Sequence, residues 1–330
     1  PRTQELFHIA FEMPRREETP AQERLQQMKT DPQDHNDTYF RERWAAFEDD
    51  NQTMMAFIAG MPYRIAFDGH NCEMRGIGAV SSLAPYRRQG AIRGCFQKAL
   101  EEMYDGGTEF SALYPFSTSY YRQFGYEIGA AFHRYTISMR AIPKFEVGGY
   151  VRLNEQGSCL ADIRAVYDVF RAGYNQMVFC EEIDYAWARE NRPAEDGRYT
   201  YVYYSAQGTP KGVMSFTKER IGDPPVLSDG RFKMSVSRLW FADREGLKGL
   251  LNHCRAFETY YERVELDLPE GMDLTPLIPE WARYFWECRR YFKGMVRVVN
   301  VKKVLGLAAY RGSGRLLLGV HDSLLPQNDH

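Results

Sequence analysis

Closely spaced cysteines, a surplus of charge of either sign and long apolar runs are all missing from this sequence. Its six cysteines are scattered over 330 residues without a C-x-x-C pair, so neither a zinc site nor a disulfide framework is indicated, and we interpret them as free thiols in a reducing cytoplasm. Lysine and arginine number 42 against 44 aspartate and glutamate, a net charge of −2, which argues against a nucleic-acid or polybasic membrane partner. No apolar run approaches a membrane span in length, and no signal peptide is evident.

Apolar residues, by contrast, are abundant. Hydrophobic residues make up 44% of the chain and aromatic residues 14%, and the length exceeds one typical domain, so two or three packed domains are expected. In MMAFIAGMPYRIAFDG the pattern predicts two strands followed by an Asp68-Gly69 hairpin turn. Strand, helix, strand, helix and strand follow up to Met139, and this order indicates a mixed α/β sheet.

The most informative segment is SSLAPYRRQGAIRG, residues 81–94. An apolar strand runs into an arginine-rich turn with a glycine, and the turn opens a helix. Such a turn presents backbone N–H groups, a helix N-terminus and positive charge to a polyphosphate. One helix and one strand later comes YYRQFGY, residues 120–126, which places a tyrosine just beyond a strand. Together the two segments indicate a nucleotide-bearing cofactor held beside a proton donor.

The rest of the chain repeats this arrangement less clearly. The pattern predicts a helix at residues 161–174, two strands within 199–216, a strand at 236–241, a helix at 243–260 and a strand at 263–268. Within it, LWFADREGLKGLL has the strand, turn and helix of the first motif but lacks the paired arginines. We interpret this segment as a degenerate repeat that is suited to packing and not to phosphate. A third unit is predicted from Tyr291, with the strand GMVRVVNV, a short helix and a strand within RLLLGVHD.

The strand, the Arg-Arg-Gln-Gly turn, the helix and the following Tyr-x-x-Phe-Gly-Tyr resemble GCN5-related N-acetyltransferases, the GNAT superfamily. More narrowly, the three-part layout resembles the Eis-like (enhanced intracellular survival) branch, in which two GNAT domains precede a sterol-carrier-protein-like domain. The resemblance implies an α/β (α+β) fold of tandem GNAT-type mixed-sheet domains. Residues 1–142 would be the catalytic domain, 143–290 a degenerate central domain, and 291–330 the start of an incomplete sterol-carrier-like domain. The terminal carboxylate that the family uses in proton handling has no counterpart in this sequence.

The resemblance also implies acetyl-CoA as cosubstrate and no metal. In the family, the backbone at the end of the central strand pairs with the pantetheine arm, the turn wraps the pyrophosphate, and residues after the next strand also touch the cofactor. Ile92 departs from the family, which usually has Gly or Ala there, although a bulky aliphatic is common in the Eis-like branch. The positions that match these contacts are Val80, Ser81, Ser82, Arg88, Gln89, Gly90, Ala91, Ile92, Arg93, Phe116 and Ser117.

The implied reaction is transfer of an acetyl group to a primary amine. A thioester is already activated, so the enzyme must hold the carbonyl near a neutral amine, stabilise the oxyanion and protonate the departing thiolate. Tyr121 matches the family's general acid, and a phenol with an ordinary pKa of about 10 is protonated at neutral pH. Tyr120 is the alternative acid, and Tyr126 is expected to pack beside Gly125. The base is not identified: His133 is the nearest histidine in sequence, but a lone histidine on a strand is usually structural.

The acceptor can be described only by class. Acidic and aromatic residues cluster in two regions and suit a cationic polyamine or aminoglycoside, but the same pattern also fits a solvated acidic surface beside an aromatic core. A lysine of a peptide or protein is an alternative acceptor, and a non-catalytic lipid- or ligand-binding protein is an alternative function. We expect a small-molecule amine partner, no nucleic acid, no membrane, a homo-oligomer and a cytoplasmic location. The clustered residues are Tyr39, Phe40, Trp44, Phe47, Glu48, Asp49, Asp50, Glu181, Glu182 and Asp184.

Overall fold

The structure is a computed structural model that describes residues 2–11, 42–49, 52–221, 231–280, 282 and 285–329. Contacts divide the chain into two compact units. Unit 1 comprises residues 1–129 and 294–330, and unit 2 comprises residues 130–293. The described helices include none that is long and apolar enough to span a membrane.

Residues 54–124 of unit 1 alternate the strands and α-helices that the sequence predicts, with one difference. MMAFIAGMPYRIAF forms a single strand of 14 residues and not two. Pairing with the preceding strand ends at Gly60, so no described strand pairs with that edge at Pro62, where a missing N–H is tolerated. The elements are α1 Arg2–Ala10, β1 Glu42–Phe47, β2 Met54–Phe67, β3 His70–Ser82, a 3₁₀ turn Ala84–Tyr86, α2 Ala91–Asp105, β4 Phe110–Leu113, α3 Thr118–Arg122 and β5 Glu127–Ile128.

Unit 2 has the strands and helices predicted for it, together with three further strands and two further short helices among the described residues. The strand expected to end the first domain pairs with two strands of this unit instead, because its alternate residues Tyr135 and Ile137 are buried in the unit 2 core. The elements are β6 Ala131–Ser138, β7 Tyr150–Leu153, α4 Leu160–Ala172, α5 Ala186–Arg189, α6 Pro193–Asp196, β8 Arg198–Tyr204, β9 Pro210–Arg220, β10 Phe232–Phe241, α7 Arg244–Arg255, β11 Arg263–Pro269 and β12 Trp286–Phe292.

The chain then returns to unit 1, where it forms β13 Met295–Val298 and α8 Val301–Leu307. The strand predicted within RLLLGVHD is not formed: residues 315–322 carry no strand, and Leu316 and Leu317 are exposed. The contacts therefore separate the chain after residues 129 and 293, whereas the sequence analysis placed domain boundaries after 142 and 290. They group residues 294–330 with unit 1, because β13 pairs with strands of that unit.

Each unit has one sheet and its own core. The sheet of unit 1 has the order β1-β2-β3-β4-β13-β5, and that of unit 2 has the order β12-β6-β11-β10-β9-β8-β7. In unit 1, β3 and β4 are parallel and the other neighbours antiparallel. Helix α2 packs on the sheet through one face at helical spacing, formed by Cys95, Phe96, Ala99, Leu100 and Met103.

A half-buried histidine in unit 2 has a lowered pKa. The ring of His253 on α7 lies 4.2 Å from the ring of Tyr201 and 5.0 Å from that of Phe257. Its Nε2 is buried and lacks a hydrogen-bond partner among the described residues. Burial lowers the pKa of His253 from 6.5 to about 4, so the folded state binds this proton more weakly than the unfolded state.

We therefore predict that the free energy of unfolding falls as the pH drops from about 6.5 to about 4, because protonation then favours the unfolded chain. His253→Phe should remove this part of the pH dependence in urea titrations, whereas His70→Gln, at an exposed hairpin position, should leave it intact. An unchanged slope in His253→Phe would contradict the prediction.

Candidate active site

The candidate active site lies where two parallel strands of unit 1 separate. β3 and β4 pair from Met74–Phe110 to Ile77–Leu113. β4 ends there, but β3 continues to Ser82. Beyond Ile77, no described strand pairs with the β4-facing edge of β3. An unpaired strand edge can bind an extended, amide-bearing molecule as a further strand would.

A bulge in β3 accompanies this separation. Two residues of β3, Ala79 and Val80, lie opposite the single residue Ile58 of β2. Ala79 adopts a left-handed conformation with φ +55°, which is unfavourable for alanine and common at functional sites. The buried Ser81 hydroxyl donates to the Ala79 carbonyl at 3.1 Å. Because that hydroxyl is engaged within the bulge and Val80 packs on the unit 1 core, these two residues leave mainly their backbone for a ligand.

The turn after β3 is the candidate anion site, and it is exposed to solvent. Arg88 and Gly90 both adopt left-handed conformations, with φ +63° and +89°. Helix α2 begins directly afterwards, with no side-chain cap and no acidic residue in its first turn. Its first N–H groups and the positive end of its dipole therefore face outward. Arg87, Arg88 and Arg93 are exposed and form no ion pair with a described residue.

Two contacts fix the shape of this turn. The Tyr86 hydroxyl donates to Glu48 Oε1 at 2.6 Å, and Gln89 Nε2 donates to the Pro85 carbonyl at 2.8 Å. Gln89 therefore uses its side chain within the turn. Ala91 and Ile92 are half-buried at the start of α2 and pack on the unit 1 core.

Tyr121 lies in an aromatic cluster beyond β4. Its side chain is 3% exposed, and its ring centroid lies 5.3 Å from that of Phe116 and 5.2 Å from that of Tyr120. The hydroxyl has no hydrogen-bond partner within the part of the chain that is described. Burial raises the pKa of Tyr121 well above 10, so the phenol is protonated and able to donate.

Of the neighbouring tyrosines, Tyr126 differs from Tyr121 in its hydrogen bonding and Tyr120 in its burial. The Tyr126 hydroxyl lies 2.6 Å from Ser111 Oγ, and Ser111 Oγ donates to the Arg75 carbonyl at 2.9 Å. Burial raises the pKa of Tyr126 to about 12, and the side chain is a structural member of the core, as the sequence predicted. Tyr120 is half-buried, and burial raises its pKa too. It stays the alternative acid.

The residues after β4 form an exposed aromatic patch. Phe116 is 73% exposed and Tyr114 83% exposed. Ser117 caps the short helix α3, since its Oγ accepts from the Tyr120 amide at 3.3 Å. A cofactor contact of Phe116 or Ser117 stays a prediction. Tyr114 was not identified from the sequence, although two aromatic residues directly after a buried strand are a usable signal.

Most of the described residues proposed for the acceptor have structural partners. Trp44 is buried, and its indole N–H donates to Glu102 at 2.8 Å. Glu181 and Asp184 cap a 3₁₀ turn in unit 2 reciprocally, and Glu182 pairs with Arg164. Phe47 is half-buried and Asp49 exposed, whereas Tyr39, Phe40 and Asp50 lie outside the described residues. His133 lies on β6 in unit 2, with Nδ1 buried and unpartnered among the described residues.

The corresponding strand-turn-helix of unit 2 is closed to an anion. Asp243 caps α7, where its carboxylate accepts from the Gly246 amide at 2.9 Å. Lys211 binds Asp243 at 2.8 Å and Glu245 at 2.5 Å. Carboxylates thus occupy the position that is open in α2, and they would repel a phosphate. A Cβ at Gly246 would overlap the Lys211 carbonyl, so this glycine allows α7 to pack closely against β9.

Two family models match the chain, and both describe an acetyltransferase (GNAT) domain. One covers residues 2–129, including the β3 edge, the turn and Tyr121, and the other covers residues 183–298. Together they span more than half of the chain, which therefore contains two GNAT-type domains in tandem. The protein belongs to the GNAT acetyltransferases and is an N-acetyltransferase. A search of curated proteins found no match.

Solved structures share this fold. A protein of unknown function from Enterococcus faecalis V583, described as "Probable N-Acyltransferase", is 22% identical, with a TM-score of 0.77 over 99% of this chain and 77% of its own. A GCN5-related N-acetyltransferase from Anabaena variabilis ATCC 29413 is 19% identical, with a TM-score of 0.75 over 99% and 79%. Eis1 from Mycobacterium abscessus is 18% identical, with a TM-score of 0.71 over 87% and 72%. These likenesses establish the tandem fold.

The open turn gives a binding prediction. Arg88→Gly removes a guanidinium but keeps a residue that adopts the left-handed conformation without strain. We expect the Kd of coenzyme A to rise about tenfold, because a hydrogen bond to a charged group contributes roughly 1.5 kcal/mol.

Isothermal titration calorimetry measures this change. Lys98→Ala is the matched control, since it removes a positive charge from α2 at an exposed position paired with Glu102 and away from the turn. An unchanged Kd in Arg88→Gly, or an equal rise in both variants, would contradict a phosphate-binding role.

Proposed function

We propose that unit 1 transfers an acetyl group from acetyl-CoA to a primary amine by direct attack in a ternary complex. The observation that supports this most is the combination in one unit of an open strand edge, an uncapped helix N-terminus and a buried, protonated tyrosine. Val80, Ser81 and Ser82 would pair with the pantetheine arm through their backbone. Residues 88–93 would bind the pyrophosphate, and Phe116 and Ser117 would line the cofactor beyond β4.

The chemistry needs one proton to leave the amine and one to reach the sulfur. The neutral amine attacks the thioester carbonyl carbon, the C–N bond forms, and the C–S bond breaks as the oxyanion collapses. Tyr121 would donate a hydrogen bond to the leaving sulfur and give up its proton as the thiolate forms. Its raised pKa keeps the phenol protonated over the whole neutral range. No residue is assigned as the base.

We propose a small cationic amine, such as an aminoglycoside or a polyamine, as acceptor. The exposed rings of Tyr114 and Phe116 beside the Tyr121 cluster support this choice, because aromatic faces attract ammonium groups. The Eis-like layout, a homo-oligomer and a cytoplasmic location belong to the same proposal and follow from the family resemblance. The same proposal includes no nucleic-acid partner and no membrane partner.

Release of free thiol from acetyl-CoA, measured across aminoglycosides, polyamines and lysine-containing peptides, tests this proposal. We expect turnover with at least one small polycationic amine. Turnover with peptides alone would replace the acceptor class by a protein lysine. Failure of every acceptor, together with no acetyl-CoA binding by calorimetry, would overturn the proposal and favour a ligand-binding function.

Tyr121→Phe should lower kcat by about 100-fold or more, since general acids contribute roughly 10²–10⁴-fold, and should leave the Kd of acetyl-CoA nearly unchanged. Tyr126→Phe removes a buried hydroxyl from the same aromatic cluster and should lower the Tm with little effect on kcat. If Tyr120→Phe shows the large loss in kcat and Tyr121→Phe does not, the acid is Tyr120.

A further inference from the structure

Arg297 on β13 is a charged side chain in the core of unit 1. It is 4% exposed, and its Nη2 donates to both carboxylate oxygens of Asp322, at 2.8 and 2.7 Å. Its Nη1 donates to the carbonyl of Phe124, in the turn that follows α3. One guanidinium thus joins two parts of the chain after residue 294 to the Tyr-x-x-Phe-Gly-Tyr motif.

The turn is built around the carbonyl of Tyr121. The amides of Phe124 and Tyr126 donate to this carbonyl at 3.0 and 3.3 Å. Gly125 lies between them with φ +78°, and a Cβ there would overlap the Arg297 guanidinium. The motif requires glycine at this position both for the left-handed backbone and for the close approach of Arg297.

Asp322 keeps the guanidinium in place. Its carboxylate also accepts from the amides of Leu324 and Leu325, both at 3.1 Å, and from Asn328 Nδ2 at 3.2 Å. Burial alone would raise the pKa of Asp322, but the hydrogen bond from Arg297 and these further contacts lower it. The carboxylate is therefore ionised at neutral pH, and both of its oxygens accept from Nη2 of Arg297 in charge-assisted hydrogen bonds.

This arrangement is not needed simply to fill the core. Arg297 Nε is buried and has no hydrogen-bond partner among the described residues, and a buried ion pair seldom stabilises a fold more than apolar side chains would. What the pair does provide is a fixed position for the Phe124 carbonyl. That carbonyl is three residues from Tyr121, in a turn whose amides hold the Tyr121 backbone.

We infer that Arg297, held by Asp322, is a positioning residue for Tyr121. The inference rests on the proposed role of Tyr121 as general acid. Arg297 has no described contact with the Tyr121 side chain and acts on it through the turn. A shift of about 1 Å in a catalytic group can cost about 100-fold in rate, so loosening this turn should lower kcat without weakening the cofactor turn at residues 88–93.

Arg297→Lys keeps the charge but cannot contact Phe124 and Asp322 at once with the same planar geometry. We expect kcat to fall about 10- to 100-fold and the Kd of acetyl-CoA to change less than about twofold. Asp322→Asn, which keeps Arg297 itself, should also lower kcat. This variant replaces Arg297→Lys as the test if Arg297→Lys does not fold. Lys303→Met is the matched control: it breaks the pair with buried Glu109 in the same returning segment and should lower the Tm without lowering kcat.

A double-variant cycle distinguishes positioning from general destabilisation. If Arg297 acts through Tyr121, Arg297→Lys should cause almost no further loss of kcat in a Tyr121→Phe background. Multiplicative losses in the double variant, or a wild-type kcat in folded Arg297→Lys and Asp322→Asn, would overturn this inference alone. Absence of turnover in the wild-type protein would overturn the proposed function and this inference with it.

Discussion

The pairing of β13 between β4 and β5 is the interaction on which the first unit depends. Residues 295–298 pair with β4 on one side, and Met295 and Val296 pair with β5 on the other. Without them, β4 would have an open edge on one side, next to the end where it separates from β3. The strand that borders the candidate site is thus held in the sheet by a part of the chain that lies after all of unit 2. Arg297 and Met295 also supply the packing beneath the aromatic cluster.

The two units show that the same strand-turn-helix arrangement can leave the helix N-terminus open or occupy it with carboxylates. In unit 1 the helix begins after Gly90 with no acidic residue in its first turn. In unit 2 Asp243 and Glu245 occupy the corresponding helix start, and both pair with Lys211. A helix N-terminus that is satisfied by its own carboxylate is more stable but loses its attraction for an anionic ligand. The second domain thus shares the fold of the first but has a helix N-terminus that its own carboxylates occupy.

Features that depend on neighbouring residues were predictable from the sequence. The turn at residues 87–90, the amphipathic helix after it and the tyrosine motif are all local, and each carries a glycine or a periodic apolar face that identifies it. Their chemistry as a cofactor site and an acid stays a prediction. The degenerate character of LWFADREGLKGLL was also visible, because the paired arginines are absent and an aspartate precedes the helix.

Features that depend on distant residues were not predictable. The left-handed Ala79 in the bulge has no local signal, since alanine does not favour that conformation. The placement of β6 in the second sheet and of β13 in the first depends on long-range pairing, which the pattern of a single strand does not specify. The exposed segment at residues 315–322 has the composition of a strand but no neighbour to pair with among the described residues. In the sequence, Arg297 is a charged residue on a predicted strand, and nothing near it indicates its partners at residues 124 and 322.

Gly125 and Arg297 are separated by more than half the length of the chain, yet one fits directly against the other. Synthesis runs from the N-terminus, so the aromatic cluster leaves the ribosome long before the guanidinium that fits beneath it. Until Arg297 has been synthesised, the carbonyl of Phe124 lacks the guanidinium that donates to it, and one edge of β4 is unpaired. The nascent chain must therefore keep an incomplete sheet from pairing with other chains while the whole of unit 2 is made.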